Sequence, residues 1–233
     1  MRFRGLVCMV AIMAAPVVAF AQEVDTRPGI AVFPFTNGGS YGPDREDMQP
    51  LEVGLQQLLL TELAQNGELR IVERSVLRQI LEEQALAVQG RVDSRTAAQV
   101  GKLVGARYVV TGVFIDLFGD FRLDGRVVDV ETGEVLRTEE VRAKREKLYE
   151  MVVDLASKIM TGVELKPLPG EVREARRSRN IPIQAVTLYS RAQVYEDAGH
   201  TDRAIELYRQ IADRFPDMVE AKQALRQLTG GEG

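Results

Sequence analysis

The fold is decided by residues 107–141, which read RYVVTGVFIDL, FGD, FRLDGRVVDV, ETGE and VLRTEEV in that order. β-Branched and aromatic residues fill the three longer stretches, and the two short ones carry the glycine and acidic residues that are typical of tight turns. The pattern therefore predicts three strands joined by short turns, which is an antiparallel meander. Its apolar side must be covered, and helix-like sequence on both sides of the meander is available for this.

Strand-like and helix-like stretches precede the meander. Short apolar runs predict buried strands at 29–35 and 69–72, and apolar residues at helical spacing predict helices at about 50–65, 75–87 and 93–103. Thr36–Pro50 is rich in Gly, Asn, Ser and Pro and is predicted to be a loop. A last helix is predicted at about 146–162. The order β-α-β-α-α-β-β-β-α predicts an α/β (α+β) sandwich, in which helices pack on a mixed sheet.

The first 21 residues have the three parts of a secretory signal peptide. Arg2 and Arg4 give the positive start, Leu6–Val18 the apolar stretch and Ala19–Ala21 the small-residue cleavage site. A transmembrane anchor is the rival interpretation, but the apolar run is short and ends in this cleavage site. The only cysteine, Cys8, comes too early to accept a lipid. We therefore expect an exported, non-lipidated protein of the periplasm, at most peripheral to the outer membrane.

Composition excludes several function classes. The chain has 30 basic and 34 acidic residues, and loss of the predicted signal peptide removes two arginines, which leaves a net charge of −6. A nucleic-acid-binding protein would show a concentrated basic face, so nucleic acid is not expected as a partner. Tryptophan is absent and aromatic residues make up 6% of the chain, so stacking surfaces for sugars or single strands are not expected either.

No catalytic or metal-binding set is visible in the sequence. His200 is the only histidine, and the mature chain has no cysteine. The sequence therefore lacks the residues for a histidine–cysteine metal site or for a cysteine–histidine nucleophile pair. The glycine-rich stretch at 37–42 lacks the spacing of a phosphate loop. Four aspartates on or beside the meander fit no calcium loop and are predicted to face solvent: Asp116, Asp120, Asp124 and Asp129. We expect no enzyme activity, no cofactor and no metal.

The chain changes character after the last predicted helix of the α/β part. Residues 164–180 contain prolines, a glycine and four arginines and are predicted to be a linker, part of it helical. Beyond it, Gly199–His200 is predicted to be a turn between two helices, and Thr201 or Asp202 the N-cap of the second. Ser75 is predicted to cap the helix at 75–87. The predicted division is a signal peptide at 1–21, an α/β domain at 22–163, a linker at 164–180 and a helical module at 181–229.

Several blocks within residues 30–163 resemble the periplasmic domain of the curli production assembly and transport (CsgG/HfaB-like) family. They lie at 30–35 (IAVFPF), 58–63 (LLLTEL), 71–75 (IVERS), 80–84, 101–112 and 128–136. The resemblance implies an α/β fold and a role in envelope assembly or secretion, with self-assembly into a ring. Pore-forming members insert transmembrane hairpins between strands, and such a hairpin needs roughly 20 residues. The turns at 118–120 and 131–134 are shorter, so the chain is not expected to form a pore by itself.

Residues 185–218 resemble a single tetratricopeptide repeat. The signature spacing is carried by Leu188, Ala192, Tyr195, Ala204, Tyr208 and Pro216. Arg191 departs from the apolar residue usual at its position, and a plain amphipathic helical hairpin would give part of the same pattern. The resemblance implies a protein-binding module, with four candidate contact residues: Leu188, Tyr195, Tyr208 and Arg209. One repeat buries its faces poorly, so the module is expected to dock on the α/β domain, on a copy of itself or on a partner.

These observations lead to one leading functional hypothesis. It is a non-catalytic accessory protein of envelope assembly or secretion, in which the CsgG-like domain is an oligomerisation or docking scaffold and the repeat is an adaptor for protein partners. The alternative is a subunit of an outer-membrane secretion channel for curli-like or other exported proteins. Its membrane segment would come from residues 36–50 or from another chain. A third hypothesis, an enzyme, needs a substrate site that the sequence does not show.

Overall fold

A computed structural model describes residues 25–42, 45–83 and 93–230. The predicted signal peptide and residues 84–87 of the helix predicted at 75–87 lie outside the described residues. The strands are β1 (Gly29–Val32), β2 (Thr36–Tyr41), β3 (Arg70–Ile71), β4 (Tyr108–Leu117), β5 (Asp120–Asp129) and β6 (Val135–Lys144). The helices are α1 (Leu51–Leu63), α2 (Arg74–Glu83), α3 (Ser94–Leu103), α4 (Leu148–Gly162), α5 (Gly170–Arg177), α6 (Ile183–Asp197), α7 (Thr201–Arg214) and α8 (Val219–Leu228).

The strands form one mixed sheet in the order β3-β1-β4-β5-β6, and β2 also pairs with β4. β1 runs parallel to β3 and to β4, whereas β4, β5 and β6 form the predicted antiparallel meander. β4 and β5 pair along their whole length, from Tyr108 opposite Asp129 to Leu117 opposite Asp120. The predicted fold class, an α/β sandwich with a mixed sheet, is confirmed.

The prediction of a loop over Thr36–Pro50 is wrong. Thr36–Tyr41 is β2, which pairs parallel with the second half of β4, and Arg45–Met48 is a single 3₁₀ turn. The sequence TNGGSY has no apolar alternation, so strand formation here depends on backbone pairing with β4 and not on side-chain pattern. Because β2 is bound into the sheet, the channel hypothesis loses this segment as a source of a membrane-spanning part.

Helices cover both faces of the sheet. On one face α1 and α4 pack against Val110, Phe114, Leu123 and Val127 in the larger of two apolar clusters. On the other face α2 and α3 pack in a smaller cluster around Ala31, Val109 and Val128. Alternate residues of one strand thus serve different layers, as the two-residue period of a strand requires.

The C-terminal helices continue the larger cluster. α6 lies against α1, α7 against α6 and α8 against α7, and the buried side chains run without a break from the sheet to Ala224. The sequence allowed three docking partners for the helical hairpin. The structure shows it docked on the α/β part of its own chain. The predicted linker contributes α5, and the domain boundaries at 163 and 180 stay predictions.

Two predicted N-caps are wrong. α2 begins at Arg74, so Ser75 lies within its first turn, and α7 begins at Thr201 with His200 in the capping position and no side-chain cap. Asp93, in contrast, does cap α3, because its carboxylate accepts from the backbone N–H of Thr96. The errors are of one or two residues, a normal uncertainty for helix ends.

Candidate functional site

A groove of about 360 Å³ lies among α1, α2, α6 and α8. Its lining includes the apolar Leu60 and Ala64 and the charged Glu73, Arg74, Glu196 and Glu220, and amide side chains are the most frequent type. Five of these line it: Gln57, Gln65, Gln193, Gln223 and Gln227. We term this site the amide groove. A carboxamide offers both donors and an acceptor without net charge, so this lining matches the N–H and C=O groups of a polypeptide backbone.

Gln193 is the buried amide of the groove, with an exposure of 3%. Its Nε2 donates to the hydroxyl of Tyr208, which in turn donates to Glu196 over 2.8 Å. No donor among the described residues reaches its Oε1. An unpaired buried acceptor costs about 1–3 kcal/mol. Oε1 is itself closed off from solvent, so a ligand in the groove would contact the other lining amides and not this atom.

The position of the helical hairpin depends on a close approach between α1 and α6. A Cβ atom added to Gly54 would lie 1.7 Å from Oγ of Ser190 and 3.0 Å from its Cα. Ser190 is buried, and its hydroxyl donates to the carbonyl of Val186. Glycine at 54 is therefore required for this contact, which fixes one wall of the amide groove relative to the other.

A buried ionic cluster joins α1, α4 and α8 through the predicted linker. Glu62 accepts from Arg176 over 2.7 Å and from the hydroxyl of Tyr149 over 2.8 Å, and Glu220 pairs with Arg179 over 2.6 Å. The side chains of Glu62 and Glu220 are 1% and 3% exposed. A carboxylate so far from water requires a paired cation. The arginines of the linker therefore hold the sheet-covering helices and the C-terminal helices together.

Arg74 forms a second ionic link between the α/β part and the helical hairpin. It pairs with Asp197 at the end of α6, and Arg78 donates to the backbone carbonyl of the same residue over 2.6 Å. Arg74 also donates to the amide oxygen of Gln57 in the groove. The link closes one end of the amide groove with charged side chains.

Burial raises the pKa of three tyrosines at this interface: Tyr149, Tyr189 and Tyr208. Loss of hydration is the largest cause, because the phenolate cannot be solvated inside the protein. Neighbouring charge adds to it. Glu62 and Glu220 repel a phenolate at Tyr149, and Glu196 repels one at Tyr208.

The structure separates the four predicted partner-binding residues. Tyr208 is fully buried inside the hairpin, so it supports the fold and contacts the lining of the groove through Gln193 and Glu196. Leu188 and Tyr195 are half-buried, and the guanidinium of Arg203 lies 5.6 Å from the Tyr195 ring. Arg209 is exposed on α7. A direct role of the last three in partner binding stays a prediction.

The sequence pattern missed the amides of the groove, although part of the signal was present. Gln223 and Gln227 are four residues apart and therefore share one face of α8. The other members come from α1 and α6, far away in sequence, and only the docking of the hairpin brings them together.

The aspartates of the meander are structural, and the prediction that they face solvent is wrong for two of them. Asp116 is buried, pairs with Arg145 over 2.9 Å and accepts from the N–H of Gly119. Asp129 is also buried, pairs with Arg107 and accepts from two N–H groups of the β5–β6 turn. The arginines and the N–H groups at the strand ends compensate the cost of burying these two carboxylates. Alternation along a strand does not reveal such partners.

Within the described ranges, no three His, Cys, Asp or Glu side chains are grouped so that they could hold a metal ion. His200 is exposed, with its ring 6.2 Å from that of Tyr195. Each helix in the same ranges is too short or too polar to cross a lipid bilayer.

Two family models match parts of the chain. Residues 15–117 match the curli production assembly/transport component CsgG, and residues 185–226 match the tetratricopeptide repeat. Both resemblances predicted from the sequence are confirmed, although the first match ends with β4 and does not include β5 and β6. The two matches support a protein-interaction, accessory role in the cell envelope. A search of curated proteins finds no match to the chain.

Solved structures of envelope proteins are similar to the chain at a low level. The C-terminal domain of LpoB from Salmonella enterica is 19% identical, with a TM-score of 0.41 over 53% of this chain and 87% of that one. Lipoprotein GNA1162 from Neisseria meningitidis is 14% identical, with a TM-score of 0.40 over 57% and 96%. The PelC dodecamer from Paraburkholderia phytofirmans is 16% identical, with a TM-score of 0.33 over 60% and 89%. Similarity at this level says nothing about function.

Gly54→Ala should loosen the helical hairpin. Alanine favours the helix itself, but its Cβ meets Ser190, and overpacking of this kind costs about 1–3 kcal/mol. We expect a lower urea midpoint and faster trypsin cleavage at the arginines of residues 164–180. Ser190→Gly in the same chain should restore part of the loss. Gly170→Ala, where no atom lies within 4 Å of the new Cβ, is the control. Equal midpoints for Gly54→Ala and Gly170→Ala would contradict the contact.

Alkaline pH should destabilise the protein through its buried tyrosines. Their pKa values are raised on folding, so their contribution is complete below about pH 10 and falls as the pH rises, because the unfolded chain then releases protons that the folded chain retains. In Tyr149→Phe, the free energy of unfolding should fall less steeply above this pH, by about 1.4 kcal/mol per pH unit. Urea titrations at several alkaline pH values measure both slopes. Parallel slopes would show that Tyr149 titrates alike in both states.

Proposed function

We propose that the chain is a non-catalytic accessory protein of envelope assembly or secretion that binds a protein partner through its helical hairpin. The α/β part acts as the docking and oligomerisation scaffold. The observation that carries the proposal is the amide groove, which α1 and the repeat hairpin line with five glutamine side chains. The match of residues 185–226 to the tetratricopeptide repeat supports a protein as the ligand.

The chemistry of the groove favours an extended polypeptide segment of the partner. Its amides can pair with backbone N–H and C=O groups, which every polypeptide offers. Arg74, at one end of the groove, already pairs with Asp197, so it does not select an acidic ligand.

The absence of catalysis is part of the proposal. Each meander aspartate is paired with a basic side chain: Asp116, Asp124 and Asp129 with arginines and Asp120 with Lys144. The ring of His200 lies beside that of Tyr195. The matched families are accessory and adaptor types. This arrangement offers binding, not proton transfer.

Export is the remaining part of the proposal. We place the chain in the periplasm, after cleavage behind Ala21 and without lipidation, where its partners are envelope proteins and its contact with the outer membrane is peripheral. The cleavage motif at Ala19–Ala21 and the position of Cys8 support this location.

Site-specific photo-cross-linking in cells tests the partner-binding groove. A cross-linking residue at Gln227, which is exposed in the groove, should trap a protein of defined mass, whereas one at Arg95 on the opposite layer should not. Gln223→Arg would fill the groove and should reduce trapping from position 227. A loss of about 1.4 kcal/mol of binding free energy would reduce it about tenfold. Position 209 tests the outer face of α7. Trapping from Arg95 alone would overturn the proposal.

The oligomeric state tests the scaffold role. We expect the exported protein, free of detergent, to be an oligomer. Light scattering after size exclusion should then give an absolute mass of at least twice that of one protomer. A ring would support the oligomerisation role. A monomer would remove the oligomerisation role and leave the adaptor role, since the amide groove is complete within one chain.

A further inference from the structure

Three large apolar side chains are exposed together at one end of the sheet. Tyr41, Leu117 and Phe118 are 56%, 50% and 78% exposed. Tyr41 ends β2 beside Leu117, which ends β4, and Phe118 begins the turn to β5. We term these three residues the apolar tip. Single exposed apolar residues are common on proteins, but a contiguous group marks an interaction site.

The backbone of Phe118 is held in an unfavourable conformation. Its φ is +54°, in the left-handed region that glycine and asparagine adopt more easily than a bulky residue. Gly119, with a φ of +90°, follows it. A turn that only reversed the chain would be more stable with glycine or asparagine at 118. The aromatic ring at this position is therefore better explained by what it contacts than by the turn.

Three polar backbone groups at the tip are paired within the protein. The N–H of Phe118 donates to the carbonyl of Tyr41, and the N–H of Gly119 donates to the carboxylate of Asp116. The carbonyl of Gly119 accepts from the N–H of Arg145 over 2.8 Å. An apolar medium strongly penalises unpaired backbone groups. These three are already satisfied, so the tip can leave water at low cost.

The charges around the tip balance each other. Lys144 pairs with Asp120, and Arg142 pairs with Glu140, each over 2.6 Å. A hollow of about 570 Å³ lies beside the tip, lined by Leu117, Ile115 and Ala143 and by the charged Asp120, Arg122, Arg142 and Lys144. Arg122 pairs with Asp124 over 2.9 Å, so each of these charged side chains has a partner of opposite charge.

We propose that the apolar tip inserts into the interfacial layer of a phospholipid membrane. Aromatic and leucine side chains are the residues that proteins place at this depth, and tyrosine keeps its hydroxyl at the wet side. The N–H groups of Phe118 and Gly119 are already used within the chain, so the tip presents apolar side chains without free backbone donors at its turn, as entry into lipid requires. The inference rests on the exported location proposed above, and it assigns the residues that make the peripheral membrane contact.

Vesicle flotation of the exported protein tests the tip. Vesicles of phosphatidylethanolamine and phosphatidylglycerol should carry the wild-type protein, and Phe118→Asn should lower its partition coefficient about tenfold or more, because a buried phenyl ring contributes at least that factor. Asparagine suits a positive φ, so this variant should fold at least as well as the wild type. Val76→Asn removes an exposed apolar residue on α2 and should leave partition unchanged. Raised salt should have little effect, since the charges around the tip are paired.

The outcomes separate this inference from the adaptor function. Wild-type protein that stays unbound, or Phe118→Asn that floats equally well, overturns the membrane contact. So does a Phe118→Asn variant whose mass by light scattering is lower than that of the wild type, because the tip would then join copies of the chain. Loss of a trapped partner in Phe118→Asn would assign the tip to a protein. Partner trapping from Gln227 depends on the helices of the amide groove, so its result is independent of the result at the tip.

Discussion

Two buried carboxylates determine how the halves of this protein are joined. Glu62 in α1 and Glu220 in α8 are almost completely removed from water, and such groups are tolerated only beside a cation. Arg176 and Arg179 supply it, and both come from the short segment between the last sheet-covering helix and the repeat. If that segment were a free linker, both carboxylates would lie unpaired in the interior. The segment is therefore a clamp, and the hairpin cannot leave the α/β part without exposing or stranding these charges.

Apolar packing sets the distance that this clamp holds. Gly54 and Ser190 bring α1 and α6 so close that no side chain fits between them, and both helices also line the amide groove. In repeat proteins the neighbouring repeats cover each other. Here α1 covers one face of α6 in the place of a preceding repeat, which explains how one repeat can be stable. The groove that would lie between repeats lies instead between repeat and α/β part.

The sequence predicted what depends on local pattern and missed what depends on pairing at long range. The meander, α1, α4 and the repeat helices follow from strand or helix periodicity, and the structure confirms them. β2 was missed because TNGGSY owes its strand conformation to pairing with β4, which lies far away along the chain, and only the sheet reveals this pairing. Asp116 and Asp129 were misplaced for the same reason, since their arginine partners lie on other elements. The groove amides, drawn from α1, α6 and α8, required the docked structure.

The rigid core also explains how two contacts could work together in one small protein. The amide groove is built from α1, α2, α6 and α8, whereas the apolar tip is built from the ends of β2, β4 and β5. One continuous apolar cluster, with no break between sheet and hairpin, lies between them. A partner in the groove and a lipid surface at the tip would therefore be held at a fixed distance and orientation. A flexible linker would allow both contacts but would not orient them, so the buried clamp at Glu62 and Glu220 is what makes the geometry useful.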